Sequence, residues 1–385
     1  MKILYHHRLA SKDGQLVHVE EIQRSLRDLG HELIEVSPNI GATQDFGFDG
    51  GIVTRLKAML PGAVYEIMEF LYGVVIVPKL LLAVLKHKPV FIYERYNLYQ
   101  PYGVWLAKLL RKPIVLEVNA PLALERSTYG NLSLVRFAKA VERYTWSRAD
   151  TVICVTEELR KIVSAELDGK DSHTVVMHNG ASTSLMADME RAIAEREASR
   201  ASDGLVVGFV GFFHEWHNLD GTLRAIANCD RQDVRFRLVG DGPAAQQLRQ
   251  LAGELGIEHR VEFLGQLGRE ETLAQVGTFD IALQPAVTGY ASPLKLFEYM
   301  AAGSVIIAPD SPNILEIVDE STALIFENGN HEAFAACLER AINDYGELEV
   351  LGANARRRID EAEFLWLENA RKSVALGSGS TAPGA

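Results

Sequence analysis

The feature that most constrains this chain is an alternation of short apolar runs with longer amphipathic segments, which occurs twice. The first runs are KILY from Lys2, ELIEV from Glu32, VFIY from Val90, PIVLEV from Pro113, TVICV from Thr151 and TVVM from Thr174. The second runs are LVVGFVG from Leu205, VRFRLVG from Val234, RVEFLG from Arg260, DIALQP from Asp280, SVIIAP from Ser304 and ALIF from Ala323. Strands that alternate with helices predict a parallel sheet covered by helices on both faces. The sequence therefore predicts two doubly wound α/β units in series.

A polar, alanine-rich stretch at about 181–204 interrupts the alternation and sets the predicted domain boundaries. The expected parts are a first domain at 1–185, a linker at 186–204, a second domain at 205–362, a last helix at 363–377 that packs back on the first domain, and a disordered tail at 378–385. A length of 385 residues also suggests two domains. Ligands of such sheets lie beyond the carboxyl ends of the strands, so we predict a site in a central cleft between the facing domains.

Composition excludes several classes of protein. A formal net charge of −12 argues against a nucleic-acid partner. Cys154, Cys229 and Cys337 are widely spaced and form no CxxC pair, which suits a reducing cytoplasm. The chain contains no complete GxGxxG and no P-loop, which disfavours nicotinamide enzymes and P-loop NTPases. It also has no cluster with the spacing of metal ligands, so no metal and no other cofactor is expected.

One apolar stretch, at 63–85, is a candidate membrane segment. Its longest uncharged run, Phe70 to Pro78, is shorter than the roughly 20 residues that a span needs. We expect a helix pair buried against a sheet. The alternative is a basic, apolar surface that rests on anionic lipid, since lysines and arginines surround the stretch at Arg55, Lys57, Lys79, Lys86 and Lys88. The predicted location is the cytoplasm, with attachment to the inner face of the membrane as this alternative.

The segment ASPLKLFEYMAAGS, at 291–304, indicates a short helix with both ends marked. Ser292 suits the N-cap, Pro293 suits the first helical position, and Gly303 suits the left-handed end. Lys295 and Glu298 then share one face near free backbone N–H groups, an arrangement that attracts anions. Glycines also recur where second-unit strands end, at Gly208, Gly211, Gly240, Gly242 and Gly265. The second unit is therefore predicted to bind a phosphate-bearing ligand.

These motifs carry a resemblance. The ordered runs GFVGFFHEWHNLDGTLRA, RLVGDGP, VEFLGQLGREE, DIALQP and YASPLKLFEYMAAGSVIIA resemble the nucleotide-sugar domain of retaining glycosyltransferases of family four, which have the two-domain architecture called GT-B. The first domain agrees through Gly14 and His18, followed in order by GHELIEV, LEVNAPLALER, DTVICVTEEL and VVMHNG. The resemblance covers about 2–372, and SPLKLFEYMAAG is its most specific part.

The resemblance implies a donor site in the second domain. The lysine matching Lys295 contacts the donor diphosphate, and the glutamate matching Glu298 holds the ribose hydroxyls. Backbone groups near Gln266 and Leu267 meet the base, and main-chain N–H groups at Ala291 and Ser292 face the phosphates. The residues assigned to the donor are Gly211, Phe212, His217, Gly240, Gln266, Leu267, Tyr290, Ala291, Ser292, Leu294, Lys295 and Glu298.

The chain departs from the family pattern at several of these positions. The usual arginine and Lys-Gly pair are replaced near Phe212 or Phe213 and at His217-Asn218, which lowers the positive charge and makes it partly dependent on pH. Tyr290 replaces an acidic residue. Asn119 stands where relatives have a histidine, so it can position the donor sugar but cannot accept a proton. The residues assigned to catalysis are Asn119, Lys295 and Glu298, with the leaving phosphate taking the acceptor proton.

The acceptor is expected on the first domain. Its candidate residues are His6, Arg8, Gly14, His18, Glu94, Arg95 and Glu117, most of which end predicted strands. We expect a retaining transferase that moves a hexose-type sugar from a UDP- or GDP-sugar to a glycan, a lipid-linked acceptor or a small molecule, as a monomer or homodimer. Two alternatives stay open: a non-hydrolysing sugar-nucleotide epimerase, and a catalytically silent subunit that binds nucleotide sugar or glycan.

Overall fold

The computed structural model describes residues 1–9, 14–37, 60–130, 132–214, 217–231 and 233–379. They form two compact units. The first comprises Met1–His178 and the C-terminal residues from Trp366, and the second comprises Asn179–Leu365. Each unit contains one six-stranded parallel sheet among the described residues.

The first sheet contains β1 (Lys2–His6), β2 (Glu32–Val36), β3 (Phe91–Arg95), β4 (Ile114–Val118), β5 (Thr151–Cys154) and β6 (Thr174–Val176). The strand order is β2-β1-β3-β4-β5-β6, so the direction of winding reverses between β1 and β3. Strands β3 and β4 are buried along their whole length, as strands covered by helices on both faces must be.

The first unit has eight described helices. They are α1 (Gly14–Asp28), α2 (Gly62–Leu71), α3 (Gly73–His87), α4 (Tyr102–Leu110), α5 (Leu122–Tyr129), α6 (Val135–Arg148), α7 (Glu157–Glu166) and the last helix of the chain, Trp366–Ser378. Gly30 ends the first of these helices with a φ of 79°. The last helix packs on α1, where the rings of His18 and Trp366 lie 4.7 Å apart.

The second sheet contains β7 (Leu205–Val210), β8 (Val234–Val239), β9 (Val261–Gly265), β10 (Ile281–Leu283), β11 (Val305–Pro309) and β12 (Ala323–Phe326). The strand order is β12-β11-β10-β7-β8-β9. This is the order of a Rossmann sheet, with the reversal between β7 and β10. Ligands of such sheets lie at the carboxyl ends of the strands where the order reverses.

Helices cover both faces of the second sheet. They are α8 (Thr183–Asp203), α9 (Leu219–Ala227), α10 (Ala245–Glu254), α11 (Arg269–Gly277), α12 (Leu294–Ala301), α13 (Pro312–Leu315), α14 (His331–Asn343) and α15 (Tyr345–Glu361); the last helix of the chain is α16. Two hydrophobic clusters form the core. One is built around Phe209 and Phe236, and the other around Phe279, Leu296 and Met300.

The two doubly wound sheets confirm the predicted fold class, and each of the twelve predicted strands lies within one or two residues of an observed strand. The linker predicted at 186–204 differs from the structure, because most of it lies within helix α8 of the second unit. Leu185 and Met189 are buried at helical spacing, and a Cβ on Gly277 of α11 would lie 2.6 Å from Ala192. The small side chains of this stretch thus pack a helix closely against its neighbour.

Candidate functional site

The carboxyl ends of β7, β8 and β9 form a closely packed backbone cluster at the reversal of the second sheet. The Gly211 N–H donates to the Val239 carbonyl at 3.0 Å, and the Gly240 N–H donates to the Gly265 carbonyl at 2.8 Å. Gly240 has a φ of 130°, and a Cβ there would lie 1.9 Å from the Gly211 oxygen. Gly240 therefore allows a close approach of backbone that a larger residue would prevent, and Gly211, with a φ of 148°, adopts a conformation that favours glycine.

The loop that follows β10 lies across the reversal and is held by two buried asparagines. Asn313 donates from its side-chain amide to the Thr288 carbonyl at 3.1 Å and to the Ala291 carbonyl at 2.7 Å. Asn179 donates its side-chain amide to the Ser292 carbonyl at 2.7 Å. The Ala291 N–H donates to the Thr288 carbonyl at 3.1 Å. The expectation that this N–H is available to a phosphate is therefore not met in this state of the loop.

Helix α12 starts after Pro293, and the predicted N-cap at Ser292 is wrong. Pro293 occupies the cap position, and no side chain caps the helix. The Ser292 hydroxyl instead accepts a hydrogen bond from the Asn179 N–H at 3.2 Å. The helix ends before Gly303, which has a φ of 60°, as predicted. Because no side chain satisfies the first N–H groups of α12, they can meet an anion.

Lys295 places a cation at this helix start. Its ammonium lies 4.1 Å from the centroid of the Phe209 ring, and a Cβ on Gly211 would lie 3.1 Å from the same nitrogen. Among the described residues Lys295 forms no ion pair. Burial lowers its pKa to about 7, although the Glu298 carboxylate opposes the shift. The site therefore holds a poorly solvated cation that a bound anion would stabilise.

Glu298 does not pair with Lys295, contrary to the simplest interpretation of their spacing. Its carboxylate contacts the Arg269 guanidinium, and the Glu298 side chain is 6% exposed. Arg269 begins α11, after the turn at Gln266 and Leu267 that was predicted to meet the base. Arg269 is not among the donor residues predicted from the sequence. Its position four residues after the strand-ending Gly265 is the only local signal that could have drawn attention to it.

The remaining donor candidates surround this helix start. Gln266 is exposed, and Leu267, Tyr290 and Leu294 are partly exposed. Phe212 is 46% exposed beside the reversal. The rings of His217 and Phe209 lie 5.4 Å apart. Burial, and then the charge of Lys295, lower the pKa of His217 to about 3. His217 is therefore neutral near pH 7, and the expectation that it contributes a pH-dependent positive charge is wrong. The predicted packing of Trp216 lies outside the described residues.

The reversal of the first sheet holds a buried network centred on Glu117 of β4. Its carboxylate lies 2.7 Å from His18 Nε2, and it accepts from Arg95 at 3.0 Å and from Tyr93 and Asn119. Burial alone would raise the pKa of Glu117, but the charge and hydrogen bond of His18 and the charge of Arg95 hold it below its usual range. Arg95 and Glu117 are direct neighbours in the parallel register of β3 and β4.

His6 and Glu94 form a second pair at the same edge. They are register neighbours in β1 and β3, and His6 Nδ1 lies 3.1 Å from the Glu94 carboxylate. A Cβ on Gly103 would overlap this carboxylate, so Gly103 leaves room for it. The structure thus brings five predicted acceptor residues together, but each is less than 9% exposed: His6, His18, Glu94, Arg95 and Glu117. They lie within ion-pair distance of one another, which differs from the expected open lining of a cleft.

Three other first-unit candidates lie at the margin of this network. Arg8 is partly exposed, and its guanidinium lies 4.7 Å from the centroid of the Tyr72 ring. Asn119 is partly exposed, and its side-chain amide donates to Glu117, which fixes the orientation of the amide. Gly14 begins α1. These residues remain predictions for the acceptor or the donor sugar.

Two further observations bear on ligands. Among the described residues, no group of three or more His, Cys, Asp or Glu side chains is arranged to hold a metal ion. A cavity of about 480 Å³ lies at the opposite, amino-terminal edge of the second sheet, lined in part by Arg196, Arg237 and Asp280. Arg237 pairs with Glu262 at 2.9 Å, and Arg196 lies 3.6 Å from Asp280. Its cations are thus balanced by carboxylates, unlike Lys295.

Two family models match the chain, one in each half. The model described as Glycosyltransferase Family 4 matches residues 12–185. The model described as Glycosyl transferases group 1 matches residues 191–358. Together these ranges include the Glu117 network and the residues around Lys295.

Similar proteins agree with these models. The 2-deoxystreptamine glucosyltransferase of Streptomyces kanamyceticus is 27% identical over 213 residues, which are 53% of this chain and 54% of the relative. The D-inositol 3-phosphate glycosyltransferase of Nocardia farcinica is 29% identical over 244 residues, 60% of this chain and 52% of the relative. The chain thus spans about half the length of the curated relatives it matches. The crystal structure of Anabaena HepE in complex with UDP matches 99% of this chain and 100% of that chain, with a TM-score of 0.74 and 19% identity. This match shows the GT-B fold.

Proposed function

Because this chain belongs to the glycosyltransferases of family 4, we propose that it transfers a hexose-type sugar from a UDP- or GDP-sugar to an acceptor with retention at the anomeric carbon. Glycans, lipid-linked acceptors and small molecules are the acceptor classes considered. The proposed donor site is the reversal of the second sheet, between the end of β7 and the start of α12.

The observation that carries this proposal is that the Lys295 ammonium has no counter-ion among the described residues. Its ammonium lies 4.1 Å from the Phe209 ring centroid, at a helix N-terminus and without an ion pair among the described residues. A diphosphate would supply the missing negative charge and would accept hydrogen bonds from N–H groups in the first turn of α12. A bound diphosphate would also raise the pKa of Lys295 above its ligand-free value of about 7, because it favours the charged form.

The neighbouring carboxylate supports a nucleoside diphosphate over a simple phosphate. Glu298 lies three residues after Lys295, and one of its carboxylate oxygens contacts the Arg269 guanidinium. A carboxylate accepts hydrogen bonds from both hydroxyls of a ribose, so the two side chains together suit phosphate and sugar. The similarity to HepE, which was crystallised with UDP, favours UDP as the nucleotide of the donor.

Lys295 and the α12 N-terminus would act on the reaction itself by stabilising the charge that develops on the departing diphosphate. Asn119 has an amide, so it can orient the sugar but cannot take a proton. The leaving phosphate is then the group that accepts the acceptor proton, as the family resemblance implies. Asn119 is held by Glu117, which fixes the direction of its amide.

The test is incubation of the full chain with UDP-glucose, UDP-galactose, UDP-N-acetylglucosamine and GDP-mannose, each radiolabelled in the sugar. Slow release of free labelled sugar from one donor is expected even without an acceptor, because water can replace it. Lys295→Met should abolish this release. Arg249→Met is the matched control, since the Arg249 guanidinium also lies over an aromatic ring, that of Phe263, at 4.5 Å.

The outcomes separate the competing functions. Conversion of a donor into an epimeric sugar nucleotide would identify an epimerase. Binding of a donor with no turnover, in calorimetry, would identify a silent subunit. Equal release by the wild type and by Lys295→Met would contradict the proposed site.

A further inference from the structure

Helices α2 and α3 carry a continuous apolar face that points into solvent. Its side chains are Val64, Ile67, Met68, Leu71, Val74, Val75, Leu82 and Leu85, each at least 43% exposed. The spacing follows one side of each helix, so the apolar side of this helix pair faces outward. We call these eight residues the α2–α3 face. An exposed apolar surface of this kind marks a site of interaction.

The opposite side of the same helices is anchored in the first unit. Ile76, Leu80 and Val84 are each no more than 3% exposed, and a Cβ on Gly73 would overlap the Tyr102 ring. Residues 62–87 are long and apolar enough to cross a membrane by length and composition. Because their inner side packs against the unit, a crossing would require this packing to be undone. The exposed apolar outer side and the buried inner side are both consistent with a helix pair that lies flat on the surface of its partner.

Charged residues of the helix pair are sorted by sign. The Glu66 carboxylate points inward and accepts from the Tyr99 hydroxyl at 2.7 Å and from the Leu134 N–H at 2.8 Å. Glu69 pairs with Arg126 at 2.9 Å. The cations Lys79, Lys86 and Lys88 are exposed. The face is therefore locally basic in a chain whose formal net charge is −12.

Aromatic side chains adjoin the face. Trp105, Phe137 and Tyr144 are 43%, 36% and 40% exposed. Ring contacts connect them: Phe70 of α2 lies 6.2 Å from Trp105 and 5.2 Å from Phe137, and Trp105 lies 6.4 Å from Tyr144. Tryptophan and tyrosine favour the boundary between hydrocarbon and water, because each has an apolar ring and a polar group.

We propose that the α2–α3 face docks the protein on the surface of a bilayer that contains anionic lipids. The apolar stripe would enter the outermost acyl region, the aromatic margin would lie at the headgroups, and the lysines would meet lipid phosphates. A symmetric contact with a second copy fits less well, since it would bring two lysine-bearing faces together. The inference does not depend on which donor is used.

The test is flotation of the full chain with phosphatidylcholine vesicles, with and without phosphatidylglycerol as about a third of the lipid. Wild-type protein should float with the anionic vesicles and much less with the neutral ones. Raising the ionic strength from about 0.1 M to about 0.5 M should weaken this binding, because screening shortens the reach of the lysines. Charge reversal by Lys79→Glu with Lys86→Glu should lower the partition coefficient by about tenfold or more.

Apolar contact is tested by Leu82→Gln with Leu85→Gln, which should reduce binding to both vesicle types. The matched control is Val350→Gln, because Val350 is 55% exposed but belongs to the second unit. Donor hydrolysis should be unchanged in all these variants, which shows that they fold. Failure of the wild type to float, or unchanged flotation of the leucine variant, would overturn the proposal. Dimerisation in light scattering that the leucine substitutions abolish, without vesicle binding, would identify a second copy as the partner and also overturn it.

Discussion

Both sheets have charged residues near the reversal of strand order, and the two units treat these residues in opposite ways. In the first unit, Glu117 is surrounded by His18, Arg95, Tyr93 and Asn119, and its pKa is held below its usual range. In the second unit, the Lys295 ammonium lies over the Phe209 ring, and burial lowers the pKa of Lys295 to about 7. One site stabilises its ionised group with the protein's own donors, and the other leaves a cation in need of an anion.

This difference indicates which site is built for a ligand. A buried carboxylate that already has four polar partners gains little from a further one, so the Glu117 network serves first to hold α1, β3 and β4 together. A buried ammonium without a counter-ion costs stability in the ligand-free protein, and such a cost is retained where a bound group offsets it. The comparison therefore predicts that substitutions at the two sites separate stability from activity.

Lys295→Met gives the largest expected effect. We expect a loss of about a thousandfold in kcat/KM for donor hydrolysis, equivalent to about 4 kcal/mol, since the diphosphate loses its cation. The ligand-free variant should melt at a higher temperature than the wild type. This difference in stability should shrink as pH rises from 7 towards 10.5. In that range Lys295 is protonated in the unfolded wild type but neutral in the folded wild type, so the wild type becomes more stable as pH rises.

Donor hydrolysis and differential scanning calorimetry measure the two effects of Lys295→Met. Arg249→Met, the control on another second-unit cation that lies over a ring, should change neither by much. If Lys295→Met is less stable than the wild type at pH 6, the Lys295 ammonium is stabilised by partners within the protein, as Glu117 is.

Glu117→Gln is the corresponding test of the first unit. The substitution keeps the shape but leaves His18 and Arg95 without their shared carboxylate, so we expect a loss of about 3 kcal/mol in the free energy of unfolding. Glu35→Gln is the control, since Glu35 pairs with His7 at 3.2 Å but its side chain is 38% exposed. It should cost less than about 1 kcal/mol. Urea titration followed by circular dichroism measures both, and a smaller loss for Glu117→Gln than for Glu35→Gln would break the comparison.

Sequence could predict the sheets but not the partners within the sites. The strands could be predicted because buried strands require uninterrupted apolar runs, and Gly240 could be predicted because two backbone segments that meet closely require glycine. The pairing of Glu298 with Arg269 joins residues 29 apart, and it depends on which side of α12 faces α11. Likewise, the neighbours of Glu117 follow from the β1-β3-β4 order, which local patterns do not encode. Local sequence rules predict Ser292 as the cap because they cannot foresee the competing Asn179.

The pH dependence of donor binding sharpens the comparison further. Lys295 is protonated below its pKa of about 7 in the free protein, so affinity for UDP-glucose should fall as pH rises. Between about pH 6.5 and about pH 8.5 we expect a roughly twentyfold loss, if only the ammonium form binds. UDP-glucose suits this test because the charge of its diphosphate diester is constant there.

Calorimetry in buffers of different ionisation enthalpy should show that binding near pH 8 takes up a proton. His217, whose pKa is about 3, stays neutral throughout this range, so His217→Gln should leave the slope unchanged. Lys295→Arg should flatten it, because a guanidinium does not lose its proton. A slope that survives in Lys295→Arg would assign the titration to another group.

Arg269→Gln gives the smallest expected effect and tests whether a paired charge can also serve a ligand site. Arg269 contacts the Glu298 carboxylate from the start of α11, so we treat it as a positioning residue for the group that would hold the ribose. Its loss should raise KM for the donor by about fivefold with kcat nearly unchanged, because uniform binding is lost and the diphosphate contact at Lys295 is kept. Arg269→Lys should recover part of the loss. A fall in KM would instead mean that Arg269 competes with the ribose for Glu298, and the pair would then act as a closed state that the donor must open.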